Sequence, residues 1–461
     1  MNKQQIIKAV TQSKHSKLWI VVTDIDGRPL SKLIHRDKFL SAIESHGISY
    51  SSGIFAIDIA GGMYTNTQIC GWHKGFPNTY AQIDLDTFRK MAWNDDIPLF
   101  IADLSQQDDD LSQVCPRSLL KRIIKKYADN HYTPVLSQEY EWFNFAESPQ
   151  ELQAQGLHNL TPVTQGNDVY SMLRPAVKQG YFNDLFEHLE AFGIPLECLH
   201  TEYGPGLYEA AIQHTDALTA ADRATLFKTG VKQIAYQHGV TASFMAKISE
   251  HLSGCGGHIH QSIYDDKQDN NLFFDRNNQH NMSELMQSYI AGQLMCLPEI
   301  LPMFAPVVNS YKRLHPYSVA PINTTWGVDN RTCALRVLSE SPESTRIEHR
   351  VAGADMNPYL AMSACLASGL YGILNNLTLD TVPIKGNAYE DTQSAPLANH
   401  LQAATEKMKQ SEIARELFGE VFVDHFVKTR EWECVQYIEC AHKVLSTEES
   451  DWELKRYFEL I

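Results

Sequence analysis

The sequence predicts a mixed α+β protein of two domains, a small β-rich one followed by a larger one that ends in helices. Three observations carry this. At 461 residues the chain exceeds what one ordinary core accommodates. Its first hundred residues read as short strands around turns, and its last third carries apolar residues at helical spacing. The polar run "SQQDDDLSQ" is the best linker candidate and places the boundary near residue 112, giving domains 1–112 and 113–461.

The elements follow in order. "LWIVVTDIDGRPLSKLIH" is an apolar strand, a turn around Asp26-Gly27 and a second strand. "RDKFLSAIESHG" predicts a short helix ended by Gly47, and "IPLFIADL" a further strand. Pro116 starts a basic amphipathic helix, "RSLLKRIIKKYADNHY". The C-terminal stretch from "ANHLQAATEKMKQ" onward predicts helix interrupted at Gly419. The net charge of −16 argues against a nucleic-acid partner, whose phosphates would repel it. Nine cysteines without a C-x-x-C pair read as reduced thiols of a cytoplasmic protein rather than a disulfide frame or zinc site. No stretch approaches the length of a membrane span.

The informative segments are charged strands. In "VLSQEYEWFNF" alternation puts Glu139 and Glu141 on one face with Phe143 and Phe145, so the face points inward. Two carboxylates facing a core are costly unless a cation or proton neutralises them, or arginines at a sheet edge pair with them. "HTEYGPGLYE" sets Glu202 and Glu209 astride a Pro-Gly turn that can fold both carboxylates toward one point, although taken alone the pair also reads as exposed surface glutamates. In "SGCGGHIHQSIYD" glycines that include Gly254 permit close backbone approach, and His258, His260 and Ser262 line one face. "TRIEHRVAGADMNPYL" projects Arg346, Glu348 and Arg350 from one side and then turns into an Asn-Pro helix start. Taken alone, that row also reads as a solvated strand. Together, five glutamates and a histidine beside arginines 313, 331, 336, 346 and 350 suit magnesium or manganese and a phosphoryl transfer. No Walker loop or kinase glycine loop is present, so the pattern asks for an ATP-using fold of another kind.

From about residue 15 onward the chain resembles the glutamine synthetase superfamily. "EYGPGLYEAAI", "FMAKI", "GGHIHQS", "NSYKRL", "NRTCALRV" and "RIEHRVAGADMNPYLAMSA" are its signature segments in the family's order. "IFAIDIAGG" and "EHRVAGADMNPYLAMSA" are most similar to γ-glutamylputrescine synthetases, which join glutamate to an amine. The resemblance implies a small N-terminal β-grasp domain and a catalytic domain with a curved antiparallel sheet. It also implies a homo-oligomer of stacked hexameric rings, a dodecamer with sites at subunit interfaces.

It implies residue roles as well. Glu139, His258 and Glu348 would hold one divalent cation near the ATP phosphates, and Glu141, Glu202 and Glu209 a second nearer the glutamate. Arg336 and Arg346 would meet the ATP phosphates, with His260 and Ser262 along the nucleotide. Arg313 and Arg350 would clamp the carboxylates of glutamate, with Gly254 and Glu141 beside it, and Arg331 would act on the transferring phosphate.

Departures from the ammonia-using members matter equally. In "NSYKRLHPYSVAP" Val319 stands where those members carry a loop glutamate. In "ISYSSGIFAIDIAGG" Ser51 falls where they carry an ammonium-binding aspartate. Losing both anions predicts a larger amine as acceptor, putrescine or another polyamine or primary amine, with Asp58 as the candidate for its cationic end. Leu207 and Ile248 also differ from the family's usual Gln and Pro. Tyr389, near where some bacterial relatives are adenylylated, is read as structural. A divergent glutamate–ammonia ligase and a non-catalytic oligomeric relative remain the alternatives. Against the latter stands the intact and costly set of charges.

Overall fold

The structure, a computed structural model, describes residues 1–104, 110–157, 159–267, 269–443 and 449–461. Of the expected linker, residues 105–109 lie outside the described residues, and residue 112 falls in a short helix, Asp110–Val114.

The first hundred residues build a five-stranded sheet from β1 (Lys17–Thr23), β2 (Pro29–His35), β3 (Ile48–Ser51), β4 (Asn78–Met91) and β5 (Ile97–Asp103), in the order β2-β1-β5-β4-β3. β1 and β2 form the expected hairpin about Gly27, and β1 runs parallel to β5 at the centre. The helix Arg36–Ala42 stops short of Gly47, because residues 43–46 turn before Gly47 adopts φ +87° and donates its N–H to the Ala42 carbonyl. One face of β1 and β5 closes a small core around Phe39 and Phe100, whose rings stack at 4.8 Å. Val21, Leu99 and Ile101 on the opposite face join the larger core.

The larger sheet contains β6 (Tyr132–Phe145), β7 (Leu196–Thr201), β8 (Leu207–Ile212), β9 (Thr215–Asp216), β10 (Thr241–Ser243), β11 (Ile259–Asp265), β12 (Trp326–Val328), β13 (Leu335–Leu338) and β14 (Arg346–His349). Its order is β12-β13-β14-β11-β6-β8-β7, with β9 and β10 also paired to β6. Only β12 and β13 run parallel among these pairs, so the sheet is the curled, essentially antiparallel one expected, flanked by helices. β6 decides which face does what. Tyr140 and Trp142 point at the helix Ala217–Gln237, where Tyr140 stacks on Phe227 at 5.6 Å. Glu139 and Glu141 therefore point the other way.

The Asn-Pro start holds: Asn357 caps the helix Pro358–Leu374 and donates to the carbonyls of Asp24 and Ile25. From Leu401 to Lys443 the C-terminal helices break at Gly419 as expected and also at Ser411, whose hydroxyl accepts from the Ala414 N–H and so opens a new helix. Buried ion pairs stitch the first sheet to the rest. Arg117 meets Asp222 at 2.8 Å, Asp103 at 2.5 Å and Asp84 at 2.9 Å, and Arg430 meets Asp26 at 2.6 Å. All nine cysteines are free, and among the described residues no helix is long and apolar enough to cross a membrane.

Candidate active site

Pairing register lines up the charged side chains in two rows. Arg336 on β13 lies opposite Glu348 on β14, which lies opposite His260 on β11. Glu141 on β6 lies directly opposite Glu209 on β8, and Glu209 opposite His200 on β7. Directly paired residues sit about 4.5–5.5 Å apart at Cβ, and like charges so placed repel. Glycines let the chain reach this geometry. A Cβ on Gly257 would stand 2.5 Å from the Gly353 carbonyl oxygen, and one on Gly254 would stand 2.7 Å from the Arg313 side chain.

The six residues expected to hold cations come together in one cavity of about 570 Å³, bordered by Glu139, Glu141, Glu202, Glu209, His258 and Glu348. Arginines 313, 331, 336 and 350 and Gly254 border the same space. His260, Ser262 and Arg346 border a second cavity of about 230 Å³, and Glu139 faces both. Asp58 is not brought to either. Its carboxylate is buried, pairs with Arg456 at 2.8 Å, and accepts from the Trp432 indole and the Ala60 and Gly62 backbone. Every lone pair is taken within the chain, so Asp58 ties the first sheet to the C-terminal helices instead of receiving a substrate cation. Ser51 caps a turn through the Gly53 N–H. Tyr389 donates its hydroxyl to the Ala320 carbonyl at 2.9 Å, a structural contact.

The two halves of the site differ electrostatically. Around Glu348, internal cations suffice. Arg336 reaches it at 2.9 Å, Arg350 also bonds it, and His258 Nδ1 lies 3.4 Å away. Burial would raise its pKa, but Arg350 and the two histidines outweigh that and bring it to about 2. Burial likewise opposes ionisation of Glu139, yet His260 at 3.0 Å and His258 at 3.5 Å hold it well below the carboxylate range. Around Glu209 the reverse holds. Burial first, then Glu141, Glu139 and Glu202, push its pKa up to about 9. Glu202 is raised by burial and Glu141, and its Oε2 is buried without a hydrogen-bond partner. His200, 3.8 Å from Glu209, and Arg331 offset only part of this charge, and negative charge gathered on oxygen ligands fits a hard divalent cation. Among the described residues, Glu139, His260 and Glu348 offer ligand atoms within 4.8 Å of one another, so His260 competes with His258 for that set.

The sequence reading missed three side chains here. His200 lies 3.8 Å from Glu209, a neighbour the hairpin in "HTEYGPGLYE" could have signalled. Asp329 fixes Arg336 at 2.6 Å, and Tyr170 edges onto His200 at a 4.7 Å ring separation. No short-range signal marks the last two.

Arg350 is held by its Nε donating to the Arg331 carbonyl at 2.9 Å, while Arg313 donates to the Val351 carbonyl at 2.9 Å. Both guanidiniums face the cavity from fixed backbone anchors. Arg350→Lys replaces a planar fork with a point charge, and is expected to raise the glutamate KM about tenfold or lower kcat comparably, an effect of about 1.4 kcal/mol. Steady-state kinetics with varied glutamate check this, and unchanged glutamate kinetics remove Arg350 from the clamp.

A curled sheet that presents opposed carboxylates and a bank of anchored arginines to one cavity has the charges that polyanions and divalent cations require. Residues 113–457 match the profile described as glutamine synthetase, catalytic domain, and the chain belongs to the glutamine synthetase family. That family's ligases use glutamate, ATP and an amine or ammonia with divalent metal ions. Among similar proteins, Type-1 glutamine synthetase 2 of Dictyostelium discoideum is 43% identical over 100% of this chain and 87% of its own length. A glutamate–isopropylamine ligase of Pseudomonas sp is 33% identical, covering 100% of this chain and 99% of its own. A solved structure described as a GmaS/ADP complex aligns at TM-score 0.82 with 22% identity, covering 98% of each chain, a likeness of fold.

Proposed function

We propose that this protein joins glutamate to a primary amine at the expense of ATP, with Mg²⁺ or Mn²⁺ at Glu139, His258 and Glu348 and at Glu141, Glu202 and Glu209. The observation that carries the reading is the cluster of mutually repelling carboxylates beside Arg313 and Arg350 in one cavity. Bound there, the cations would neutralise phosphate charge. Arg313 and Arg350 orient glutamate so that a γ-carboxylate oxygen attacks the ATP γ-phosphorus and ADP departs, with Arg331 and Arg336 meeting the charge spread over the phosphoryl oxygens. The amine nitrogen then attacks the acyl carbon, phosphate leaves, and the nitrogen gives up a proton. His260, Ser262 and Arg346 border the adjoining cavity as the nucleotide side.

Val319 and Ser51 in place of two acids support an amine over ammonium, and the resemblance points to putrescine. We further assign the chain a division near residue 112, a cytoplasmic location and a homo-oligomer of stacked rings with sites between subunits. The second reading, a glutamate–ammonia ligase, is favoured by the 43% identity to a protein named as a glutamine synthetase. Phosphate release with glutamate, ATP, Mg²⁺ and a panel of amines separates the two. At least one primary amine is expected to exceed ammonium by about tenfold in kcat/KM, with rates rising with pH as the amine, of pKa about 10, loses its proton. Preference for ammonium over every amine assigns the ammonia reaction instead.

A further inference from the structure

The helix Ser310–Arg313 supplies one arginine of the glutamate clamp, yet it is only four residues long. So short a helix does not hold itself in place, because its backbone makes almost no internal hydrogen bonds. Buried side chains at its start fix it instead. The Asn309 amide accepts the Lys247 N–H at 2.8 Å and donates to the Lys247 carbonyl at 2.8 Å, and Lys247 itself borders the main cavity. Asn309 also donates to Glu453 at 2.7 Å, and the Lys312 ammonium stands 2.7 Å from the second Glu453 oxygen. The Ser310 hydroxyl donates to the buried Asp355 carboxylate.

Glu453 is the distant member of this set. It stands 144 residues beyond Asn309, on the helix Glu449–Tyr457, borders neither cavity and is 3% exposed. A carboxylate buried so far from water is costly unless donors surround it, and here both oxygens face donors from the start of the Arg313 helix. Three residues on, the same helix face carries Arg456, which pairs with Asp58 at 2.8 Å and with Glu433 at 2.6 Å. The last helix is therefore fixed at Arg456, and Glu453 carries that fixed position to Asn309 and Lys312. At the other end of the short helix, the Arg313 guanidinium donates to the Val351 carbonyl at 2.9 Å and the Arg350 carbonyl at 3.2 Å. A group that orients substrate tolerates little movement, since a shift of about 1 Å costs up to about a hundredfold in rate.

We propose that Glu453 is a positioning residue for the glutamate clamp: by holding Asn309 and Lys312 it sets the place of Arg313, and with it the affinity for glutamate. This rests on the amine-ligase reading and adds to it a determinant of glutamate binding that lies outside the cavity.

The test measures phosphate release with glutamate varied at saturating ATP, amine and Mg²⁺, and again with ATP varied at saturating glutamate. A KM does not depend on the fraction of enzyme that is folded, so the pair of values separates positioning from lost fold. Glu453→Ala is expected to raise the glutamate KM about tenfold while the ATP KM stays within about twofold of wild type. Glu453→Gln keeps an oxygen for Asn309 but loses the ion pair, as does Lys312→Met, and each is expected to raise the glutamate KM about threefold. These two variants carry the same comparison where Glu453→Ala yields no folded enzyme. Unchanged glutamate KM values, or equal rises for glutamate and ATP, overturn the assignment, make Glu453 a contact of the fold alone and leave the ligase reading standing. A wild-type enzyme without glutamate-dependent phosphate release overturns the ligase reading, and this assignment with it.

Discussion

Glu348→Ala is expected to reduce turnover by at least about 10³-fold, equivalent to roughly 4 kcal/mol of barrier. The carboxylate is buried and shared among Arg336, Arg350 and His258, so it is both a candidate metal ligand and the anion that holds two cavity-facing guanidiniums in place. Removing it leaves Arg350 buried without its carboxylate partner and Arg336 with Asp329 alone, and breaking a buried ion pair costs about 3–5 kcal/mol of stability. Glu348→Gln keeps the volume and loses only the charge, and is expected to show the same kinetic defect with more of the stability retained. Phosphate release, metal-dependent ATP binding by calorimetry and circular dichroism together decide the matter. A folded variant with near-normal turnover would remove Glu348 from the site.

Removing divalent metal is the second large effect. Chelation is expected to bring turnover to background, and adding Mg²⁺ or Mn²⁺ to the metal-free protein at pH 8 to release about one proton per chain. The proton comes from the Glu141, Glu202 and Glu209 cluster, where burial and like charge push Glu209 up to about 9. A free glutamate titrates near 4.3, so between about pH 4.3 and 9 the metal-free fold binds a proton that the unfolded chain does not. Stability of the metal-free form therefore falls as pH rises through that window, and a bound cation removes the slope. Thermal melts at pH 6 and pH 9, with and without metal, and a pH-stat titration read both quantities. Equal slopes with no proton released would show that the cluster holds no cation.

Much of this site was legible in the sequence because strand alternation is local. Glu139 with Glu141, His258 with His260, and Arg346 with Glu348 and Arg350 share faces by a two-residue period, and the structure lines all of them along the two cavities. What failed depends on partners far away in the chain. Asp58 looked free for a ligand in "IFAIDIAGG", but its partner Arg456 stands 398 residues later. Asp329 and Arg336 were both visible, yet only the fold shows their 2.6 Å contact. The left-handed backbone at Val319, with φ of +63°, was hidden for another reason: "HPYSVAP" carries no glycine or asparagine to announce it, and its conformation is imposed by Ser318 and Tyr389.

The buried pairs between the first sheet and the C-terminal helices also set a timetable for synthesis. Asp58 and Asp26 leave the ribosome long before Arg456 and Arg430, their partners at separations of 398 and 404 residues. At about 5–20 residues per second, the early carboxylates wait roughly 20–80 s for their counter-charges. Through that interval the nascent first sheet lacks these ion pairs to the C-terminal helices. Two buried carboxylates of the first sheet are therefore neutralised only after the C-terminal helices emerge.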